Sequence, residues 1–104
     1  EVMEEKLRTG RGRAYGLWDR DRLVSVVQTD FEQETSALIV GVATRLNQQG
    51  RGFGTVLMSH VIRILHSEGK KIYLEYENPE AGGLYRKLGF TQFDTVMEYN
   101  RILL

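Results

Sequence analysis

A chain of 104 residues with no cysteine, 41% hydrophobic and 27% charged residues, and 14 Lys+Arg against 14 Asp+Glu has room for one domain with a real core and none for a second. The charge balance leaves no net field to draw nucleic acid or an acidic membrane, and the missing cysteines exclude disulfides, thiolate catalysis and cysteine-ligated metal while fitting a reducing cytoplasm. No apolar run approaches ~20 residues and no signal peptide is visible, so neither membrane insertion nor secretion is expected.

The chain opens on Glu1 rather than Met and reads as part of something longer. Residues 1–12 form a charged, glycine-rich lead-in. Within it, Glu4, Glu5, Lys6, Leu7 and Arg8 suit a helix tail broken by Gly10 and Gly12. The Arg8 to Arg13 stretch reads as a solvated lead-in, because the acids just before it cancel its field. From Arg13, aromatic and β-branched runs on either side of Asp19-Arg20-Asp21-Arg22 predict a hairpin. Tyr15 and Trp18 in its first arm are expected to pack in the core and on the sheet face. Ser36 to Thr44 is the next strand, apolar on both faces as an interior strand is.

Gln49-Gly50-Arg51-Gly52-Phe53-Gly54 then joins that strand to a segment of helical period. Glycines let backbone amides turn inward, and the unpartnered N–H groups and dipole of the following helix favour an anion such as a phosphate or pyrophosphate. Arg51 adds a candidate side-chain contact. A tight strand-to-helix turn, with glycines serving geometry only, is the other reading of the same residues. No Lys-Ser/Thr follows the last glycine, which excludes a Walker P-loop, and the glycine spacing is not that of a dinucleotide fold.

Leu57, Val61, Ile64, Leu65 and the stem of Glu68 share one side of the helix behind the loop, and Gly69 stops it. His60 and His66 lie on different faces, so neither a metal pair nor a catalytic dyad follows, and no metal is expected. Lys71 to Tyr76 alternates as a strand, which the helical crossover makes parallel to the Ser36 strand. Asn78 as cap, Pro79 at the first helical position, and Leu84, Tyr85 and Leu88 at helical spacing predict a second helix ending at Gly89. Two strands, broken near Asp94, close the chain. The fold class is therefore α/β, a central mixed sheet combining an antiparallel hairpin with a parallel strand-helix-strand core, flanked by helices.

Two segments together carry a resemblance. Gln49-x-x-Gly52-x-Gly54 matches the Q/R-x-x-G-x-G/A loop of the GNAT superfamily of acyl-CoA-dependent N-acyltransferases. Asn78-x-x-Ala81-x-x-Leu84-Tyr85-x-x-x-Gly89-Phe90 matches its N-x-x-A-x-x-L-Y-x-x-x-G-F segment. The chain, one domain over 1–104, resembles the C-terminal, coenzyme-binding part of that family, with only 1–12 standing for the strand and two helices that usually precede it. The resemblance implies acetyl-CoA as co-substrate. Its pantetheine arm would lie between two diverging parallel strands and pair with backbone at Val42, Ala43 and Thr44. Its pyrophosphate would sit on the amides from Gly50 through Arg51, Gly52, Phe53 and Gly54 to Thr55, with Gln49, Asn78 and Ala81 as further coenzyme contacts.

Tyr85 is implied as the general acid that protonates the departing thiolate, a phenol of pKa ~10 facing a thiol of roughly 8 to 9. The reaction implied is direct attack of an amine on the acetyl carbonyl, polarised by a backbone N–H near Ala43 or Thr44. No base is assigned; Glu34, Glu75 and Glu77 are weighed and read as solvated. The expected partners are a small-molecule or peptide amine acceptor, with no nucleic acid and no membrane, and either a homodimer or a missing N-terminal segment completing the acceptor site. A non-catalytic acyl-CoA sensor is the alternative. An RNA-binding sheet is a distant third, because Arg51-Gly52-Phe53-Gly54 starts like an RNA-recognition octamer but Thr55 stands where a base-stacking aromatic belongs.

Overall fold

The computed structural model describes residues 12–45, 50, 52–76, 81–92 and 96–100, and residues 3–8 and 93 by their backbone. Among the described residues seven strands, β1 (Met3–Arg8), β2 (Arg13–Asp19), β3 (Arg22–Asp30), β4 (Ser36–Thr44), β5 (Lys71–Leu74), β6 (Phe90–Phe93) and β7 (Val96–Tyr99), form one sheet in the order β1-β2-β3-β4-β5-β7-β6. Of these described strands β4 and β5 run parallel, and the other neighbouring pairs are antiparallel. The crossover between them is α1 (Phe53–Ser67), and α2 (Gly82–Leu88) lies between β5 and β6.

The hairpin forms where the β-branched runs place it. Asp19 pairs with Arg22, so the turn has only Arg20 and Asp21 at its tip, and Arg20 takes the left-handed conformation (φ 58°) that such short turns require. Tyr15 and Leu17 point into the core with Val24 and Val27, while Trp18, half-buried, lies on the other face beside Leu23 and Val26. The helix tail expected within residues 4–8 is corrected: these residues belong to β1, paired from Met3↔Trp18 to Arg8↔Arg13. Their helix propensity differs from strand propensity by fractions of a kcal/mol per residue, less than the ladder of hydrogen bonds to β2 provides.

β4 is interior in strand order, yet buried on one face only. Ala37 and Ile39 are in the core, whereas Val40 and Ala43 are exposed, and among the described residues no helix covers that second face. Its register against β3 jumps from Thr29↔Ile39 to Gln28↔Gly41, which leaves Val40 as an extra, bulged residue.

α1 is held by an apolar stripe. Leu57, Met58, Val61, Ile62 and Leu65 are buried against Tyr15, Leu17, Val27, Ile39, Ile72 and Leu74. Met58 and Ile62 extend the predicted stripe, and Ile64 sits at its margin. The helix ends at Gly69 (φ 77°), whose N–H bonds the His66 carbonyl at 3.0 Å, the left-handed stop that the sequence signals. α2 ends the same way at Gly89 (φ 116°). Its Tyr85 joins Phe90 and Met97 in the same core.

Arg13 is not solvated as the lead-in reading has it; only 5% of the residue is exposed. Its Nε and Nη2 donate to Glu32 (2.7–3.0 Å), its Nη1 donates to Glu68 Oε2 (3.0 Å), and its Nη2 also reaches Glu68 Oε1. Lys70 Nζ donates to Glu32 Oε1 at 2.8 Å and lies 3.4 Å from Glu68 Oε1. The hydrogen bonds to Glu68 and Glu32 push the guanidinium pKa further up against its burial. Burial alone would raise the Glu32 carboxyl, but hydrogen bonds from Arg13, Lys70 and Thr29 outweigh it and hold the group at about 2. Glu68 is also lowered, chiefly by its hydrogen bonds from Arg13. Composition and spacing do not reveal this cluster, because Arg13, Glu32 and the Glu68–Lys70 pair come from three separate parts of the chain.

Candidate coenzyme site

The site begins where β4 and β5 part. Their parallel pairing runs from Ser36↔Lys71 to Ile39↔Leu74, and the Glu75 N–H donates to the Ile39 carbonyl at 3.0 Å. Beyond that point, among the described residues, β4 continues to Thr44 paired with β3 alone, through Gly41, Val42, Ala43 and Thr44. The bulge at Val40 sits at the parting, and a bulge bends the strand that carries it. The extra residue in β4 thus stands where its pairing with β5 ends.

Facing this opening is the start of α1. Gly50 and Gly52 both hold left-handed backbone (φ 82° and 81°), and a Cβ on either would meet nothing within 4 Å. Glycine serves conformation at these two positions, not crowding. At Gly54 the reason is reversed: a Cβ there would lie 3.3 Å from Thr44 Oγ1, so its absence lets the helix approach the end of β4. The helix has no side-chain cap and no acidic residue in its first turn, and its ladder opens with the Val56 N–H donating to the Gly52 carbonyl at 3.0 Å. The positive end of the dipole is therefore not neutralised by the helix's own carboxylates. Thr44, Gly50, Gly52, Phe53, Gly54, Thr55 and Leu84 line a cavity of about 310 Å³.

The structure thus brings six of the expected coenzyme residues to one cavity and adds Leu84, which reaches it from α2. Val42 and Ala43 lie just before Thr44 on the stretch of β4 beyond its pairing with β5 but are not in the lining. Gln49, Arg51 and Asn78 fall outside the described residues, as do Pro79 and Glu77; the described helix begins at Gly82 with Ala81 before it. Ser25 was missed in the sequence. Buried on β3, it donates to the Ala43 carbonyl at 3.0 Å, which leaves it to accept from the Thr44 hydroxyl, also at 3.0 Å. It fixes the end of β4 from behind, and no sequence signal distinguishes it from any other strand serine.

Tyr85 is 6% exposed, its ring edge-on to Tyr76 (5.2 Å between centroids) and to Phe90 (6.4 Å). Burial, and after it the neighbouring Tyr76, raise its pKa above the ordinary 10.0. The phenol thus holds its proton more tightly than a free tyrosine. Tyr76 itself reaches under α2, where a Cβ on Gly82 would lie 2.7 Å from the Tyr76 hydroxyl. Glu34 is exposed before the first residue of β4, and the nine residues of that strand span ~30 Å to its far end, so it lies away from the cavity. Glu75 is exposed at the parting itself. Among the described residues no group of three His, Asp or Glu side chains is placed to hold a metal ion, and no helix is long and apolar enough to cross a membrane.

A family model described as acetyltransferase (GNAT) matches residues 1–90. No curated protein matches the chain. Among solved structures, a KacTA–DNA complex is similar at 25% identity and TM-score 0.73, covering 88% of this chain and 69% of that one. A mutant AtaT toxin bound to the C-terminus of the antitoxin AtaR is similar at 20% identity and TM-score 0.72, covering 85% and 67%. A GNAT family acetyltransferase from Elizabethkingia anophelis with acetyl-CoA bound is similar at 17% identity and TM-score 0.77, covering 89% and 78%.

These structures correct the partner expectation. A small-molecule or peptide amine acceptor, with nucleic acid excluded and a homodimer in reserve, does not stand beside similar structures assembled with DNA or with a protein antitoxin. The physical reason is that a net charge of zero excludes a uniform field but says nothing of local interfaces. Matched over residues 1–90 by the family's model and sharing its fold with these structures, the chain belongs to the acetyltransferase (GNAT) family.

Proposed function

We propose that this chain transfers the acetyl group of acetyl-CoA to a primary amine carried by a macromolecule, by direct attack in a ternary complex. The observation that carries the reading is the parting of β4 from β5 after Ile39, beside a glycine-lined helix start that opens on a cavity. In this reading the backbone of Val42, Ala43 and Thr44 pairs with the pantetheine arm. The amides of Gly50 and of Gly52 to Thr55 take the pyrophosphate at the positive end of α1. Gln49, Arg51, Asn78 and Ala81 are assigned to the coenzyme by motif alone. A macromolecular acceptor is favoured by the DNA and antitoxin assemblies of the similar structures.

In the reaction the amine nitrogen bonds to the acetyl carbon, the carbon–sulfur bond breaks, and the thiolate takes the proton of the Tyr85 hydroxyl. The proton lost from the amine passes to water, and the phenolate recovers its own from solvent. A backbone N–H near Ala43 or Thr44 polarises the carbonyl oxygen. Tyr85 is assigned as donor by its motif position. The cysteine-free composition supports a cytoplasmic setting.

Calorimetric titration with acetyl-CoA tests the binding half; no heat removes the proposal. Following free thiol with protein-borne and nucleic-acid-borne amines tests the chemistry. Heat without thiol release on any amine would make the chain an acyl-CoA-binding domain that does not transfer.

A further inference from the structure

We propose that Arg13 is a positioning residue for the coenzyme cradle: through Glu68 it ties the far end of α1 to the sheet and so sets where the helix start stands. This rests on the acetyl-CoA reading above. α1 meets the sheet through Leu57, Met58, Val61, Ile62 and Leu65, and apolar burial is non-directional. Packed helices slide on such contacts by small shears with little loss of buried area. The close approach of Gly54 to Thr44 limits the helix in one direction only, by repulsion.

Directional restraint comes from the other end. Glu68, the C-terminal cap residue of α1, accepts from Nη1 and Nη2 of Arg13, a two-point contact that fixes orientation as well as distance. Arg13 is anchored in turn. Its Nε and Nη2 donate to Glu32 in the turn after β3, and its backbone N–H donates to Thr29 Oγ1 at 2.9 Å. Lys70, at the entry to β5, closes the cluster on both carboxylates. Two cations and two carboxylates thus join β2, the β3–β4 turn, α1 and the approach to β5. Stability alone does not call for this arrangement, since well-packed apolar side chains commonly do as well as a buried ionic cluster. What apolar side chains do not supply is register. α1 is a rigid rod of 15 residues, ~22 Å long, so a displacement allowed at Glu68 is carried to Gly52 and Gly54.

The test uses Glu68→Gln, which keeps one acceptor oxygen at the less buried partner, alongside Arg13→Lys, which keeps the charge and loses the fork. Amide NMR of the coenzyme-free protein reads the positions of Gly52, Gly54 and Thr55, and calorimetry reads the acetyl-CoA Kd. The expected result in a cooperatively folded variant is a shift of all three amides and a Kd raised about tenfold. Unshifted cradle amides in folded Glu68→Gln overturn the proposal, as does an unchanged Kd. If the wild-type protein itself binds no acetyl-CoA, the functional reading fails and the amide shifts alone judge the positioning. If Arg13→Lys fails to fold, Glu68→Gln decides.

Discussion

Gly52→Ala isolates the conformational requirement of the cradle. The residue holds φ 81° and a Cβ there would meet nothing within 4 Å, so the substitution adds no clash and its whole effect is backbone strain. A non-glycine residue in left-handed backbone costs roughly 1–2 kcal/mol. If the loop relaxes to escape that strain, the binding-competent conformation is depleted by the same free energy, which raises the acetyl-CoA Kd by about 5- to 30-fold. Gly69→Ala is the comparison for strain. Gly69 has φ 77° and equally open surroundings, but it lies beside Glu68 at the other end of α1. Both variants should melt earlier, by about 4–8 °C per kcal/mol for a domain near this size. Gly52→Ala should lose more coenzyme affinity in calorimetry than Gly69→Ala, which reaches the cradle only by way of the helix. Equal affinities for Gly52→Ala and wild type would refute the assignment of this helix start as the anion cradle.

Tyr85→Phe should lower thiol release from acetyl-CoA by about 10²-fold while leaving coenzyme affinity within twofold, the pattern of a lost proton donor; undiminished release removes Tyr85 from the mechanism. Acid should weaken the fold through Glu32. Its pKa is lowered in the folded state from 4.5 to about 2 beside Arg13, Lys70 and Thr29, with Glu68 across the same guanidinium. That stabilisation is present above 4.5 and is lost as pH falls through 2, about 3 kcal/mol in all from this one group; urea unfolding at pH 7 and pH 3 reads about 2 kcal/mol of it, and equal midpoints contradict it. Gly12→Ala should be the most damaging glycine change of the hairpin region, because its Cβ would sit 2.1 Å from the Thr29 carbonyl oxygen, a backbone atom that cannot step aside. Loss of cooperative thermal unfolding is the expected readout, and a wild-type melt would show that β2 and β3 separate there at little cost.

Local pattern carried far in this chain because its elements state their own limits. The β-branched arms of the hairpin, the stripe from Leu57 to Leu65 and the stops at Gly69 and Gly89 are each short-range features, readable wherever neighbours in sequence decide the backbone. The glycine loop belongs with them: an amide cradle at a helix start is made by consecutive residues. Residues 4–8 show the opposite case, since a segment of weak, helix-leaning preference became an edge strand once β2 offered it a ladder.

By itself, then, the sequence determined the α/β class, the parallel β4–α1–β5 crossover and the family motifs around Gly52 and Tyr85, because these depend on periodicity and on residues close together in the chain. Tertiary structure alone decided the rest. It placed the bulge at Val40 where β4 parts from β5, brought Leu84 to the cavity and Ser25 against Thr44, and gathered Arg13 and Glu32 with Glu68 and Lys70 into one ionic cluster. Each of these is a meeting of residues distant in sequence, and which of them meet is settled by strand register and helix packing, quantities that no local pattern encodes.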